Sequence, residues 1–577
     1  MNKSRNVILA IEKMPQWAFL SILLLFQLIF IPQGLDFADE GFFMTFYQQI
    51  FNDPESVTYA FMYWFAGILG GAVYSLFPYG GLLLMRFAGV MVVTLTAAVT
   101  CRILKPYLPL WTVRIGVAMS VLYIFDDVIS LYYNNVSALL YVCSIGLLLK
   151  GLRSDNGGKW ILGSGMLFSL NMFTRIPNVL GILFVLVILY EAWISHRGIK
   201  KCMREAACFL SGYLLMFFFV FLSMWKLGHL LPFLTCLDWV FHIGGTSGSS
   251  HNIFSMIRTT VGQYWEIGLS GVFLAAWGIL CFYLIKKFRN KLFTWIIGIA
   301  AFFFFSLFLY FYGALYPLYF LSLITILFLL WVETPEIKTV AFAALLLLVL
   351  QPLGSDGAVD LVGRFSMWLS LPLVVAFLEK QIRRLSVSRG ISNRLLRKTG
   401  WTVLILFVCL SLERHISHTY FDQGSRFKKT YSVDHPFLRG IYTTRQRAVL
   451  SQEILSALDK YISEDDYILI YDNSPILHYL TKTKPYAYNP WVYLYDKDLL
   501  QKALSRSEEE HPDLPVVVLQ KFKGLWIDWP DGYSDSYMDD EVNKGKNLLI
   551  NEFLRKNAYE KAWTNGYYEI WIPQNKK

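Results

Sequence analysis

The chain has 577 residues, of which 55% are hydrophobic and 16% charged, and a mean hydropathy of +0.44. That is more apolar than a soluble globular protein needs, which excludes a string of soluble domains. The net charge of +10 sits in short basic clusters between apolar stretches, a pattern that orients membrane spans rather than one that binds nucleic acid.

Met1 to Lys13 reads as a basic leader to the first long apolar segment, Trp17 to Ile31. No small-residue cleavage site follows it, so an uncleaved first helix is expected. A bilayer crossing needs about 17–25 apolar residues. Candidate spans lie near 15–33, 82–101, 111–130, 133–149, 160–174, 177–194, 206–225, 262–285, 292–311, 315–332, 339–353, 365–378 and 400–412. With the N-terminus in the cytoplasm, the inner segments collect nearly all of the Lys and Arg of residues 1–412. The short outer segments hold only Arg175, Lys226, Arg258 and Arg364, as the positive-inside rule requires. Residues 57–77 are also long enough to cross. Counting them as a span would put the basic clusters outside, so they read as an interfacial or re-entrant helix. The first outer loop then runs over 34–81. It has no Lys or Arg and carries Asp36, Asp39, Glu40, Asp53 and Glu55.

Beyond Leu412 the texture turns polar. Arg445 to Tyr461 and Glu541 to Leu554 read as helices, and Tyr467 to Tyr471 and Pro515 to Gln520 as strands. The Asn565-Gly566 pair marks a hairpin within Tyr559 to Pro573. The expected architecture is a polytopic α-helical membrane domain of about thirteen spans over 1–412, followed by an extracytoplasmic α/β domain over 413–577. The seven cysteines lie in or near the apolar segments without metal-ligand spacing.

Asp36, Asp39 and Glu40 stand just past the first span, where carboxylates are costly to desolvate. Their i, i+3, i+4 spacing puts them on one face if the stretch is helical. Crowding raises their pKa values toward those of a general base. The competing reading is capping of a helix over Phe42 to Phe51. Arg86, Arg175, Arg258 and Arg364 are the candidate ligands for an anionic head group, against snorkelling or pairing with Asp356 or Asp360. The Gly/Ser-rich loop Phe241 to His251 carries His242 and His251 and reads as a mobile loop or lid. Asp126-Asp127 and Asn134-Asn135 are either helix-end caps or part of a cavity wall. In Trp526-Ile527-Asp528-Trp529-Pro530-Asp531-Gly532-Tyr533 the aromatics suit either a sugar platform or packing under a loop. There is no phosphate-binding glycine loop, Walker pattern or nucleophile elbow.

At this point the chain resembles the GT-C glycosyltransferases, in particular the branch that holds protein O-mannosyltransferases and lipid A aminoarabinose transferases. Asp39-Glu40 match that branch's Asp-Glu motif. Tyr63-Trp64 and Arg86-Phe87 resemble its Tyr-Trp…Arg-Leu-Pro stretch without the Leu-Pro, and the lysine-proline pair before Tyr-Trp is missing. Leu353-Gly354-Ser355-Asp356 and Tyr133-Asn134-Asn135 are similar to motifs of bacterial members.

The resemblance implies an inverting transferase of the bacterial inner membrane. It would take a sugar from a polyprenyl-phosphate donor to a lipid, glycan or protein acceptor on the outer side, and need neither nucleic acid nor a certain cofactor, a divalent cation remaining open. Asp39 is then the base, with Glu40 and Asp36 tuning it. One or more of the four arginines would hold the donor phosphate, and His242, His251, Asn134, Asn135 and Asp356 would line the substrate loop. The rival classes are a flippase of lipid-linked saccharides, which wants polar residues at the bilayer midplane, and a non-catalytic envelope assembly factor. Fold likeness alone does not decide among them.

Overall fold

The computed structural model describes residues 2–124, 128–245, 252–287, 291–389, 393–525, 529 and 543–574. The chain is mostly helical. In order it forms α1 (Asn2–Lys13), α2 (Gln16–Leu28), α3 (Asp39–Gln49), α4 (Trp64–Leu76), α5 (Gly81–Leu104), α6 (Leu110–Ile124), α7 (Tyr133–Arg153) and α8 (Gly158–Met172). Then come α9 (Val185–Ile194), α10 (Ile199–Lys226), α11 (Leu230–Gly245), α12 (Ile253–Lys287), α13 (Lys291–Tyr312), α14 (Leu315–Val332) and α15 (Pro335–Leu350). The helical part closes with α16 (Ala358–Val362), α17 (Ser370–Arg389) and α18 (Asn393–Ser417).

Among the described residues, seven helical segments are long and apolar enough to cross a membrane, or up to nine if each of two bent pairs is one span. The sequence-based count of about thirteen is not reached. Several expected spans fall on helices too short to cross alone, such as α6 (15 residues) and α15 (16 residues). Glu55–Leu76, the segment expected to be interfacial, is among the seven by length and composition. It is not one straight helix: Glu55–Tyr63 is a 3₁₀ turn with a kink at Val57. Its Tyr59 N–H donates to Tyr488 O of the C-terminal region at 3.0 Å. α1 meets α2 at 99°, with Pro15 at the bend.

With the expected boundary at 413 falling near the end of α18, the polar C-terminal region follows that helix. It contains α19 (Arg445–Leu458), β1 (Tyr467–Tyr471), α20 (Ile476–Thr481), β2 (Lys484–Pro485), α21 (Lys497–Glu510), β3 (Val516–Gln520), α22 (Lys544–Lys556), β4 (Tyr559–Thr564) and β5 (Tyr568–Pro573). The strands form one mixed sheet in the order β2-β1-β3-β5-β4. β2, β1 and β3 run parallel, and β3, β5 and β4 antiparallel. The expected hairpin is the β4–β5 turn, where Gly566 adopts a φ of +87° that favours glycine. YILIY is the buried strand β1 because parallel strands covered on both faces read as apolar runs.

The sheet does not have a core of its own. Leu35, Phe37, Phe42 and Phe46 from the loop and helix after the first span are buried in the same cluster as Ile468, Ile470, Val517 and Tyr568. A second cluster, made by α2, α5–α10 and α14–α17, fills the helical part.

Candidate active site

The chain between α2 and α3 turns through Gly34, whose φ of +97° is open to glycine at no steric cost. Asp36 follows and is 3% exposed. Its carboxylate accepts the N–H of Ala38 at 2.8 Å and of Glu40 at 2.9 Å. Helix α3 begins only at Asp39, so the three acids do not share a helical face as the spacing predicted. Asp36 instead caps the start of α3, since a short carboxylate can reach orphan N–H groups two to four residues ahead. Burial, then the nearby Asp39 and Glu40 charges, push the Asp36 carboxyl well above the usual range, opposed by those two N–H bonds.

Glu40 points away from solvent and is 2% exposed. Arg86 of α5 grips it with two bonds, Nε to Oε1 at 2.8 Å and Nη2 to Oε2 at 2.5 Å, and Ser130 donates to Oε1 as well. Arg86 also donates to Ile31 O and Gly34 O, both at 2.7 Å. This is the bidentate, fully paired geometry that a buried ion pair needs. Arg86 ties α5 to the loop and does not line the cavity described next.

Asp39 faces the other way. It stands on the wall of a cavity of about 350 Å³ together with Arg175, Asp356, Asn134, Tyr59, Tyr63, Tyr132, Tyr133, Tyr420 and Trp491. Tyr420 O–H donates to Asp39 Oδ2 at 2.6 Å. Tyr63 and Tyr133 stack with centroids 4.2 Å apart. The Asn134 side-chain oxygen is buried without a hydrogen-bond partner among the described residues. Arg175 is held by two carbonyls, Gln351 O at 2.6 Å and Leu353 O at 3.2 Å, while Asp356 accepts the Gly357 N–H at 2.8 Å. Asp39, Arg175, Asn134 and Asp356, far apart in sequence, thus meet in one hollow.

Arg364 lies next door. It lines a second cavity of about 420 Å³ with Arg414, His418, Gln423 and Tyr420; Tyr420 and Leu361 belong to both walls. Leu309, Ala314 and Phe407 in turn connect this second cavity to an apolar groove of about 470 Å³ between α6, α12–α14, α17 and α18. Asn135 is buried on α7, outside the Asp39 cavity. Arg258 on α12 and His242 on α11 are exposed. His251, Asp126, Asp127, Trp526 and Tyr533 lie outside the described residues. Trp529 is 3% exposed, 4.8 Å from Phe37 and under the Arg447 guanidinium, so it packs and offers no sugar platform. No group of three metal-ligating side chains occurs among the described residues.

Sequence reasoning missed Tyr420, Tyr59 and Trp491. Tyr63, Tyr132 and Tyr133 were visible only as parts of short motifs. Nothing in the spacing of Tyr420 or Trp491 ties either residue to Asp39, because both come from the polar region beyond α18.

No family model and no curated protein matches the chain. Among solved structures it is similar to ArnT from Cupriavidus metallidurans bound to undecaprenyl phosphate, at 11% identity over 96% of this chain and 97% of that one, with a TM-score of 0.49. It is also similar to the Archaeoglobus fulgidus oligosaccharyltransferase in complex with zinc and sulfate, at 9% identity over 87% of this chain and 68% of that one, with a TM-score of 0.46. A third similar structure is the archaeal oligosaccharyltransferase AglB from Archaeoglobus fulgidus with an inhibitory peptide and a dolichol-phosphate, at 10% identity over 97% and 74%, with a TM-score of 0.45. These are likenesses of chain trace, and the function has to be argued from the residues.

Proposed function

We propose that this chain is an integral-membrane, GT-C-type glycosyltransferase that moves a sugar from a polyprenyl-phosphate donor to an acceptor on the extracytoplasmic side. One observation carries the reading. Asp39 is the half-buried carboxylate of a hollow walled by stacked tyrosines, Asn134, Asp356 and Arg175, and this hollow adjoins first an arginine-lined cavity and then an apolar groove. Aromatic faces with a few polar groups suit a sugar, guanidinium groups suit a phosphate, and an apolar groove suits a prenyl tail.

In this reading the acceptor O–H gives its proton to Asp39 as its oxygen forms a bond to the anomeric carbon. The bond from that carbon to the phosphate oxygen breaks, and the anomeric centre inverts. The leaving phosphate gains charge, which Arg175 or Arg364 neutralises. A phosphate acceptor would need no base, and Asp39 would then orient it. Glu40 and Arg86 hold the loop from behind. The lysine and arginine distribution supports a multi-pass protein of a bacterial inner membrane with a cytoplasmic N-terminus and residues 413–577 outside. The seven to nine helical segments fit to cross a membrane support the multi-pass part of this reading.

The test is release of free polyprenyl phosphate from a radiolabelled, lipid-linked sugar extract by purified protein in nanodiscs. Wild type should release it, and Asp39→Asn should lose about 10²–10⁴-fold. Transport of the label across the bilayer without its release would favour the flippase.

A further inference from the structure

The loop that carries Asp39 is held not only by Arg86 of α5 but also by the C-terminal region. Gly34 N–H donates to Tyr442 O at 2.8 Å, and Tyr442 N–H donates to Pro32 O at 2.7 Å. Leu35 is pinned at both ends. Its N–H donates to Asp422 Oδ2 at 2.8 Å, and its carbonyl accepts Arg447 Nη1 at 2.7 Å. Phe37 O accepts the Ile476 N–H at 3.1 Å. Gly41, in the first turn of α3, lies so close to α20 that a Cβ there would be 2.2 Å from Ile476 N.

Asp422 and Arg447 are each 1% exposed and 3.5 Å apart. Thr443 donates to Asp422 Oδ2 at 2.7 Å, and Lys429 stands 3.7 Å from Oδ1. The same Arg447 Nη1 also donates to Phe421 O at 2.7 Å, next to Tyr420. One buried pair therefore grips both the segment leading to Asp39 and the segment that brings Tyr420 to it.

We propose that Asp422 and Arg447 are positioning residues of the active site: through them the C-terminal region sets the loop bearing Asp39 and presses the Tyr420 hydroxyl onto its carboxylate. The inference deepens the glycosyltransferase reading and rests on it for its catalytic meaning, though not for its geometry. A hydrogen bond donated to a carboxylate favours the charged form, so loosening the pair weakens that bond and raises the pH at which Asp39 loses its proton. Other titratable and charged groups near Asp39 are Asp36 and Glu40 on its own segment, the latter turned away onto Arg86, and Arg175, Asp356, Tyr59, Tyr63, Tyr132 and Tyr133 lining the same cavity. None of them is altered by the variants below.

The experiment is an infrared titration of full-length protein in nanodiscs, with no donor present. The Asp39 carboxyl band is isolated by subtracting the Asp39→Asn spectrum. Tyr420→Phe should move its midpoint up by about one pH unit, and Asp422→Asn should move it in the same direction. Arg447→Lys, which keeps the charge but loses the fork, should give a smaller shift. A purely structural role would lower thermal stability and leave the midpoint alone. An unchanged midpoint in both Tyr420→Phe and Asp422→Asn overturns the proposal. If Asp422→Asn does not fold, Thr443→Val replaces it, and an unchanged midpoint there overturns the Asp422 arm. Failure of the enzyme reading is separate: Asp39→Asn with wild-type turnover would remove the base and leave the titration result standing.

Discussion

Asp39 and Glu40 are adjacent in sequence and occupy opposite kinds of environment. Glu40 is walled in behind the loop, gripped by Arg86 and Ser130. Asp39 opens onto a hollow, where the Tyr420 hydroxyl donates to its carboxylate. The contrast teaches that an acidic pair past a first span is two devices. One carboxylate holds the backbone, and its neighbour lines a cavity. A buried ion pair gives little net stability but costs much to break, whereas a half-buried carboxylate in a cavity costs little to neutralise.

That contrast can be broken experimentally. The largest expected effect is on Asp39→Asn, a loss of about 10²–10⁴-fold in turnover with little change in unfolding temperature. Donor turnover and a melting curve on the same sample check both halves. Glu40→Gln should do the reverse. Leaving Arg86 buried without its anion should cost about 3–5 kcal/mol, read as a collapse in yield and melting temperature, and Glu40→Gln combined with Arg86→Met should recover part of it. If Glu40→Gln melts like wild type while turnover falls, the division of labour is wrong.

Further from the pair, Gly41→Ala drives a methyl into the Ile476 backbone and should destabilise the contact of α3 with α20 by about 1–3 kcal/mol. Limited proteolysis of the C-terminal region would show it as faster cleavage.

The smallest effect is a pH dependence in that same region. Burial pushes His478 from 6.5 down to about 3, so the folded state holds the neutral ring. The unfolded chain takes up the proton first, and stability is full above about pH 6.5 and falls as the pH drops toward 3. Between pH 7 and 5.5, melting temperatures of wild type should decline more steeply than those of His478→Gln; equal slopes would show that His478 is not the group responsible.

Much of the frame was legible in the chain itself. Apolar lengths marked helices fit to cross a membrane, YILIY announced a buried strand, and Asn565-Gly566 announced the hairpin. These signals are local, set by composition and by backbone preference over a few residues. Length and composition along the described residues do not confirm the number of spans, because short and bent helices such as α6 and the α1–α2 pair fall below or break the length a single crossing needs. The face that each acid presents was not legible either, since i, i+3, i+4 spacing assumes a helix that begins only at Asp39.

The assembly of the site belongs to tertiary structure alone. Asp39 meets Tyr420 across 381 residues, and Leu35 meets Asp422 and Arg447 across 387 and 412. Hydrophobic burial brings such distant segments together, and a buried carboxylate then takes whichever donors that packing supplies. No pattern along the chain encodes which donors those will be, so sequence marked the acids and the fold assigned their work.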